Sequence, residues 1–211
     1  MTKNIYIIRH GQTEYNKLGM VQGSGIDSNL NELGKRQAEA FYDAYNHIPF
    51  DTIYTSLLKR THQSVAKFIK KTAWQQLSGL NEISWGDREG RIITTKDDAE
   101  YFKMIEKWNA GKVDFGIAGG ESPLELQEKQ KVAIKHFMNT NDKNILICMH
   151  GRAIRILLCT LLGIGLENMQ NFPHQNLCLY LLKYENGKFE LQTENNITHL
   201  EDDISLDSIA S

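Results

Sequence analysis

The sequence predicts an α/β fold, a three-layer sandwich in which a mostly parallel central sheet is flanked by helices. Short β-branched apolar runs alternate with helix-length segments, which is typical of parallel sheets. Two of these runs end directly in His-Gly, at His10 and at His150. Because ligands bind beyond the carboxyl ends of parallel strands, we expect both histidines in one crevice. The length of 211 residues predicts a single domain over residues 1–211, with a cap-like insertion at about 83–121.

The first part of the chain contains two predicted strands, each followed by a predicted helix. Residues 3–9 form a short apolar run typical of a buried strand, and residues 10–30 are polar and glycine-rich, which indicates a long loop. Asn31 is the expected N-cap of the next helix, since its side-chain oxygen can accept a backbone N–H of the first turn. A second strand is predicted over 52–56 and a helix over about 57–71.

The later part of the chain continues the alternation and ends in a predicted hairpin. Its predicted helices span 97–109, 123–139 and 153–162, and its predicted strands span 144–149, 177–184 and 189–193. The sequence Glu-Asn-Gly-Lys at 185–188 is a hairpin-turn signal. The acidic, small residues 201–211 are expected to form a mobile tail.

Composition narrows the class of function. The formal net charge of −2 provides no basic field for nucleic acid or for an anionic membrane, so we expect neither partner. No stretch has the length of a transmembrane helix, and the first apolar run is too short for a signal peptide. The three cysteines lie in separate apolar runs, which predicts buried thiols in a reducing, cytoplasmic compartment. The remaining histidines lack metal-ligand spacing, so no metal is expected.

The residue types at the two strand ends suit phosphoryl transfer without a metal. Such a site needs a nucleophile, cations around the phosphoryl oxygens and an acid for the leaving alcohol. His10 offers a neutral imidazole beside the charge of Arg9. Arg60, in the first turn of a predicted helix, can clamp an anion with two hydrogen bonds. His150 can add a hydrogen bond or a second positive charge, and Glu82 is the candidate acid.

Glycines follow both histidines and have an expected role of their own. Gly11 and Gly151 let backbone N–H groups approach an oxyanion closely.

Arg-His-Gly alone is a weak signal, but it lies in the block IIRHGQTEYN at residues 7–16. Further blocks follow in order at residues 22–23, 27–34 with 37–38, 54–61, 80–82 with 86 and 89–90, 119–122 and 149–155. Together they resemble the signature of the histidine phosphatase superfamily, in its phosphoglycerate-mutase-like branch.

The resemblance implies a role for each matched residue. His10 would attack phosphorus and carry the phosphoryl group. Arg9, Arg60 and His150 would hold the phosphoryl oxygens. Glu82 would protonate the leaving oxygen and then act as base on the hydrolytic water. No metal or nucleotide cofactor is implied, and the partner would be a small phosphorylated metabolite.

The loop residues carry weaker expectations. The resemblance implies that Asn16 and Gln22 contact phosphate or substrate, with Gly23 and Gly151 beside them. Asn16 and Gln22 are equally compatible with holding the loop in shape. Arg152 stands where the family often has glycine; an arginine there adds positive charge, which would favour a substrate with more than one anionic group.

Three functions stay open on the sequence. The first is a metal-independent phosphomonoester hydrolase acting through a phosphohistidine on His10. The second is a cofactor-dependent phosphoglycerate mutase, which must protect its intermediate from water and needs extra basic cap residues. The predicted cap is short, and residues 80–90 resemble the phosphatase version of the motif, so hydrolysis is favoured. A non-catalytic phospho-ligand binding module ranks last because every catalytic residue type is present.

Overall fold

A computed structural model describes residues 2–92 and 94–200. It contains a six-stranded sheet in the order β3-β2-β4-β1-β5-β6. Strands β1 to β4 are parallel, and β5 and β6 run antiparallel at one side. The strands are β1 Lys3–Arg9, β2 Thr52–Thr55, β3 Ala73–Gln76, β4 Asn144–Met149, β5 Leu179–Glu185 and β6 Lys188–Asn196. The predicted α/β class with a mostly parallel sheet is confirmed.

Seven α-helices in the described residues accompany the sheet. They are α1 Glu14–Lys17, α2 Glu32–Tyr45, α3 Lys59–Ser64, α4 Ala66–Ile69, α5 Thr95–Asn109, α6 Pro123–Met138 and α7 Gly151–Leu162. Short 3-10 helices lie at Ser78–Leu80, Gly86–Arg88 and Leu166–Asn171. The predicted long loop therefore contains one short helix, and the predicted helix over 57–71 is broken at Val65, whose φ of −120° leaves helical geometry.

Both faces of the central strands are buried, which explains their continuous apolar character. Ile7 and Ile147 belong to a core shared with α6 and α7, and Ile8 and Cys148 belong to the core on the other face, with Phe41 of α2. Helices on the two sides of one sheet give the predicted three layers. About 25 cal/mol is gained for each Å² of apolar surface buried, so these two cores are the main stabilising contribution.

The register of β1 and β4 decides where the two histidines lie. Ile8 pairs with Cys148 and Arg9 with Met149, so the strands end level with each other. His10 and His150 then leave the sheet at the same edge, with ring centroids 5.1 Å apart. The sequence-based expectation that both strand ends share one crevice is confirmed.

The start of α2 holds the chain just after β1. The Asn31 side chain accepts the Gly34 N–H at 2.8 Å, as predicted for an N-cap. A Cβ on Gly34 would lie 2.1 Å from the Gln12 carbonyl oxygen, and one on Gly11 would lie 2.6 Å from the Gly34 carbonyl oxygen. Glycine at both positions therefore allows the backbone of α2 to pack directly on the segment that carries His10.

Two other local predictions have different outcomes. The hairpin turn is confirmed, since Asn186 and Gly187 both have positive φ between β5 and β6. Strand β3 was not predicted: all four of its residues are exposed at the sheet edge, so no apolar alternation marks it. The expectation for residues 201–211 lies outside the described residues.

The segment 83–121 contains α5 and packs on the α7 side of the sheet. Trp108 of α5 is fully buried in the core that includes Ile154 and Leu158 of α7. Its role as a cap stays a prediction, as does the single-domain division of the chain. None of the helices in the described part is both long and apolar enough to cross a membrane.

Candidate active site

The His10 ring is held in one tautomer. Its Nδ1 lies 2.7 Å from the Gly11 carbonyl oxygen, which can only accept, so Nδ1 carries the proton. The other nitrogen, Nε2, is then left with its lone pair. Burial, followed by the charges of Arg60 and Arg9, holds the pKa of His10 well below its usual range. His10 is therefore a neutral imidazole with an unprotonated Nε2, the form that is nucleophilic.

The backbone around His10 is fixed from three sides. The His10 N–H donates to the Met149 carbonyl at 3.0 Å, and Asn176 Nδ2 donates to the His10 carbonyl at 2.9 Å. The Gly11 N–H donates to Ser64 Oγ at 2.9 Å. The expectation that the Gly11 amide approaches an oxyanion is wrong, because this amide already has a protein acceptor.

Arg60 is fully buried and points across the crevice. Its Nη1 donates to the Ile26 carbonyl, its Nη2 donates to the Gly23 carbonyl at 3.2 Å, and its Nε donates to His150 at 3.1 Å. Burial lowers the pKa of Arg60 to about 10, so it stays charged at neutral pH. Its partners are neutral, so the guanidinium retains an unneutralised charge.

Arg9 supplies a second buried charge at the same edge. Its Nη1 donates to the His174 carbonyl at 2.8 Å, and its buried Nε has no hydrogen-bond partner in residues 2–92 and 94–200. Among the described residues, no carboxylate lies within 4.0 Å of Arg9 or Arg60. Two buried cations with no carboxylate within 4.0 Å in the described part of the chain make this edge of the sheet suited to binding an anion.

His150 uses both ring nitrogens within the protein. Nδ1 accepts from Arg60 Nε, so Nε2 carries the proton and donates to Ser56 Oγ at 2.8 Å. Burial, followed by the charge of Arg60, holds the pKa of His150 well below its usual range. The alternative of a second positive charge does not fit, because a protonated Nδ1 would oppose the Arg60 N–H. In this arrangement His150 orients Arg60.

The Glu82 side chain is buried against the first turn of α7. Its Oε1 accepts from the Ala153 and Ile83 N–H groups at 2.9 Å each, and its Oε2 accepts from the Arg152 N–H at 3.1 Å. The carboxylate thus caps a helix whose own N-cap, His150, makes no side-chain cap bond. Burial raises the pKa of Glu82, against the effect of the three N–H donors and Arg60, which favours a carboxyl that can hold a proton.

The other carboxylates that the sequence offered nearby have structural partners. Glu121 Oε2 accepts from the Ser84 N–H at 2.8 Å, and its Oε1 pairs with Lys129. Glu89 Oε1 accepts from the Trp85 N–H at 2.9 Å. Because of these contacts, Glu82, which is bound to the first turn of α7 directly after β4, stays the candidate acid.

The loop residues mostly hold the loop. Asn16 Oδ1 accepts from the Thr13 N–H at 3.2 Å as part of a capping box for α1. Gln22 Oε1 accepts from the hydroxyls of Thr13 and Ser28, so its amide NH₂ faces the other way as a donor. Gly23 contributes its carbonyl to Arg60.

Gly23 and Gly151 also allow close packing at the site. A Cβ on Gly23 would lie 2.1 Å from Glu89 Oε1, and one on Gly151 would lie 3.1 Å from the His174 ring. Gly151 opens α7, so its N–H is one of those a helix leaves without an internal acceptor.

Several supporting residues were not predicted. They are Ser56, Ser64, His174 and Asn176, which hold His150, Gly11, Arg9 and His10 respectively. His174 and Asn176 lie in an irregular segment before β5, where no periodic pattern marks a function. In the described residues no group of three or more His, Cys, Asp or Glu side chains is arranged to hold a metal ion.

The family model for the histidine phosphatase superfamily (branch 1) matches residues 5–197, which include both strand ends and Glu82. The chain belongs to this superfamily. It is a histidine phosphatase-type enzyme, and the resemblance seen in its motifs is confirmed.

Individual members of the histidine phosphatase superfamily resemble the chain over most of its length. A broad-specificity phosphatase of Saccharomyces cerevisiae is 33% identical over 162 residues, covering 73% of this chain and 68% of its own length. A protein of Proteus mirabilis named "Probable phosphoglycerate mutase GpmB" is 28% identical over 217 residues, covering 97% and 98%. A mycobacterial glucosyl-3-phosphoglycerate phosphatase solved with inorganic phosphate has a TM-score of 0.81 at 20% identity, covering 94% and 100%. This last likeness shows the shared fold.

The buried histidines predict a stability that depends on pH. Burial holds the pKa values of His10, His150 and His174 well below 6.5 and lowers that of His199 to about 4. Below pH 6.5 the unfolded chain therefore binds more protons than the folded one, so stability falls as pH decreases. Each such histidine contributes about 1.4 kcal/mol per pH unit while its folded form stays neutral. Glu82 has a raised pKa in the folded protein, so its contribution to stability decreases as pH rises.

Urea unfolding between pH 7.5 and pH 5 measures this dependence. The free energy of unfolding is expected to decrease steadily below pH 6.5. His199→Gln should reduce the slope between pH 6.5 and pH 5, because it removes one depressed pKa away from the strand ends. A free energy that stays constant down to pH 5 would contradict the neutral state of these histidines.

Proposed function

We propose that the protein hydrolyses phosphomonoesters of small metabolites through a phosphohistidine on His10, without a metal. The observation that carries the proposal is the His10 tautomer: Nδ1 donates to the Gly11 carbonyl, which leaves Nε2 without a proton. A neutral imidazole among buried arginines can attack phosphorus without first losing a proton.

The first step transfers the phosphoryl group to the protein. His10 Nε2 forms a bond to phosphorus while the bond from phosphorus to the ester oxygen breaks. Arg9 and Arg60 balance the charge on the phosphoryl oxygens, and His150 keeps Arg60 in place. The departing oxygen takes a proton from Glu82, which leaves a carboxylate.

The second step returns the enzyme to its starting state. A water oxygen attacks phosphorus, its proton passes to the Glu82 carboxylate, and the Nε2–phosphorus bond breaks to release phosphate. Oε2 is the better oxygen for this proton, since it accepts one backbone N–H whereas Oε1 accepts two. The three N–H groups fix the carboxyl throughout the cycle.

Hydrolysis of p-nitrophenyl phosphate in the presence of EDTA tests the proposed function. Turnover is expected to be unaffected by EDTA, because Arg9 and Arg60 supply the positive charge. His10→Asn serves as the control for contaminating phosphatase. Loss of activity on chelation, with recovery on adding back a divalent metal, would overturn the metal-independent mechanism.

The competing function is a phosphoglycerate mutase, which the names of several relatives suggest. We favour hydrolysis because the segment 83–121 is short and residues 80–90 resemble the phosphatase version of the motif. The two functions differ in the fate of 3-phosphoglycerate. Phosphate release faster than formation of 2-phosphoglycerate is expected; the reverse order would identify a mutase.

The proposed location remains a reducing, cytoplasmic compartment. Cys148, Cys159 and Cys178 are free and buried, and burial raises the pKa of each thiol. They act as small apolar core residues, and none is a candidate nucleophile.

A further inference from the structure

Arg152 is a buried arginine that the proposed reaction does not use. It lies in the first turn of α7, and only 4% of its surface is exposed. Its Nη2 donates to the Tyr101 hydroxyl at 2.6 Å, whereas its Nε and Nη1 are buried without a hydrogen-bond partner among the described residues. Its guanidinium carbon lies 5.3 Å from the centre of the Trp108 ring and 5.9 Å from that of Trp85.

A second arginine lies on the same face of the helix, three residues later. Arg155 donates from Nη1 to Gln170 Oε1 at 2.6 Å, and its Nε is buried without a hydrogen-bond partner in the described part of the chain. Burial and the nearby charge of Arg152 lower the pKa of Arg155 to about 10. Within residues 2–92 and 94–200, neither arginine has a carboxylate within 4.0 Å.

Burying two adjacent cations with unpaired N–H donors lowers the stability of the folded protein. Contacts with the two tryptophan rings compensate part of the charge on Arg152. They leave three N–H-bearing nitrogens, two on Arg152 and one on Arg155, without acceptors. An anion that accepts from these nitrogens would remove the cost, as phosphate is proposed to do for Arg9 and Arg60.

The position of Arg152 indicates which part of a substrate would reach it. Its backbone N–H donates to Glu82 Oε2, the oxygen proposed to protonate the leaving group. The residues that its guanidinium contacts, Trp85 and Tyr101, line a cavity of about 320 Å³ whose lining also includes Gln22, Asp97 and Asp98 but neither Arg152 nor Arg155. The backbone of Arg152 therefore contacts the proposed acid of the leaving alcohol, and its guanidinium contacts two residues that line this cavity.

We propose that Arg152 and Arg155 form a second anion subsite, and that the preferred substrate is a small phosphomonoester whose alcohol carries a carboxylate or a second phosphate. The inference rests on the proposed function of the site and adds the class of leaving group to it. It assigns a substrate-binding role to a position where the family often has glycine.

Matched esters test the subsite. Glycerol 1-phosphate has a neutral leaving alcohol, 3-phosphoglycerate replaces its terminal hydroxymethyl with a carboxylate, and glycerol 1,3-bisphosphate adds a second phosphate. The kcat/KM for an anion-bearing ester is expected to exceed that for glycerol 1-phosphate by about 10- to 100-fold, the effect of one or two charge-assisted hydrogen bonds. Whichever of the two esters shows the larger ratio identifies the anion.

Substitution of the arginines assigns the preference to its source. Arg152→Gln should bring the ratio close to one, mainly through a higher KM for the anion-bearing ester, and Arg155→Gln should lower it to a smaller extent. Arg36→Gln removes an equal charge from an exposed position of α2 and should preserve the wild-type ratio. If Arg152→Gln fails to fold, Arg155→Gln decides the result, because its side chain is less buried.

Three outcomes would overturn the subsite. They are a wild-type ratio near one, a ratio that both variants leave unchanged, and an equal fall for all three esters together with a lower Tm. The last result would mean that Arg152 only supports Tyr101 and the two tryptophans. Failure of the proposed function is distinguishable, since it would abolish His10-dependent hydrolysis of every ester, including p-nitrophenyl phosphate.

Discussion

Replacement of His10 by asparagine is expected to reduce hydrolysis of p-nitrophenyl phosphate by about 10⁴-fold or more, the usual consequence of removing a nucleophile. The asparagine amide can still donate to the Gly11 carbonyl, so the local fold should survive. What it lacks is a nitrogen lone pair at the position of Nε2. The measurement is kcat under saturating substrate, with circular dichroism to show that the variant is folded.

His47 provides the matched control. It is an exposed histidine between α2 and β2, so His47→Asn makes the same chemical change away from the strand ends. Its activity should equal that of the wild type. Activity of His10→Asn within tenfold of wild type would show that another group attacks phosphorus.

The phosphorylated intermediate should also carry its phosphoryl group on a specific nitrogen. Nδ1 of His10 is occupied by its proton and the Gly11 carbonyl, so the adduct is expected on Nε2. Acid quenching destroys a phosphohistidine and base preserves it, and ³¹P NMR of the base-quenched protein distinguishes the two ring isomers. An adduct on Nδ1 would contradict the tautomer of His10. An adduct that persists in His10→Asn would show that another residue carries the phosphoryl group.

The sequence was most informative in short segments where a predicted strand is followed directly by candidate catalytic residues. Residues 3–9 and 144–149 are apolar because both faces of a central parallel strand are buried, and His-Gly follows each of them. The parallel-sheet rule then places His10 beside His150 without any knowledge of the fold. The same rule could not locate β3, an exposed edge strand with no apolar side of its own.

Contacts between distant residues could not be derived from local patterns. The Arg60–His150 bond joins positions 90 residues apart; the sequence offered His150 as a hydrogen-bonding group or a second positive charge, and this bond favours a residue that positions Arg60. The Gly11 N–H bond to Ser64 likewise removes an amide that its sequence context made available. Side chains at the site compete for the same partners, and only their relative positions decide which contact forms.

Glu82 has a double role that its motif does not reveal. It is the candidate acid, and it also accepts the N–H groups of Arg152 and Ala153 that α7 leaves unpaired. Glutamine keeps one acceptor oxygen but places an NH₂ group against a donor. Glu82→Gln is therefore expected to destabilise the protein by about 1–2 kcal/mol, measured by urea unfolding, a loss comparable with that of a helix cap.

The larger effect of Glu82→Gln should be on catalysis, and it should depend on the leaving group. Hydrolysis of an alkyl ester such as glycerol 1-phosphate is expected to slow by about 10²- to 10⁴-fold, since the alkoxide needs a proton to depart. Phosphoryl transfer from p-nitrophenyl phosphate should slow far less, because p-nitrophenolate departs unprotonated. The second step still lacks its base, so phosphohistidine should accumulate after a burst of p-nitrophenolate.

Glu121→Gln is the matched control. Like Glu82, the Glu121 carboxylate accepts a backbone N–H, but it is paired with Lys129. It should show neither the leaving-group dependence nor the burst. An equal loss for alkyl and aryl esters in Glu82→Gln, without accumulated phosphohistidine, would mean that Glu82 acts only as the cap of α7. Because general acid–base catalysis and helix capping both use the same two oxygens, the leaving-group dependence is the measurement that separates them.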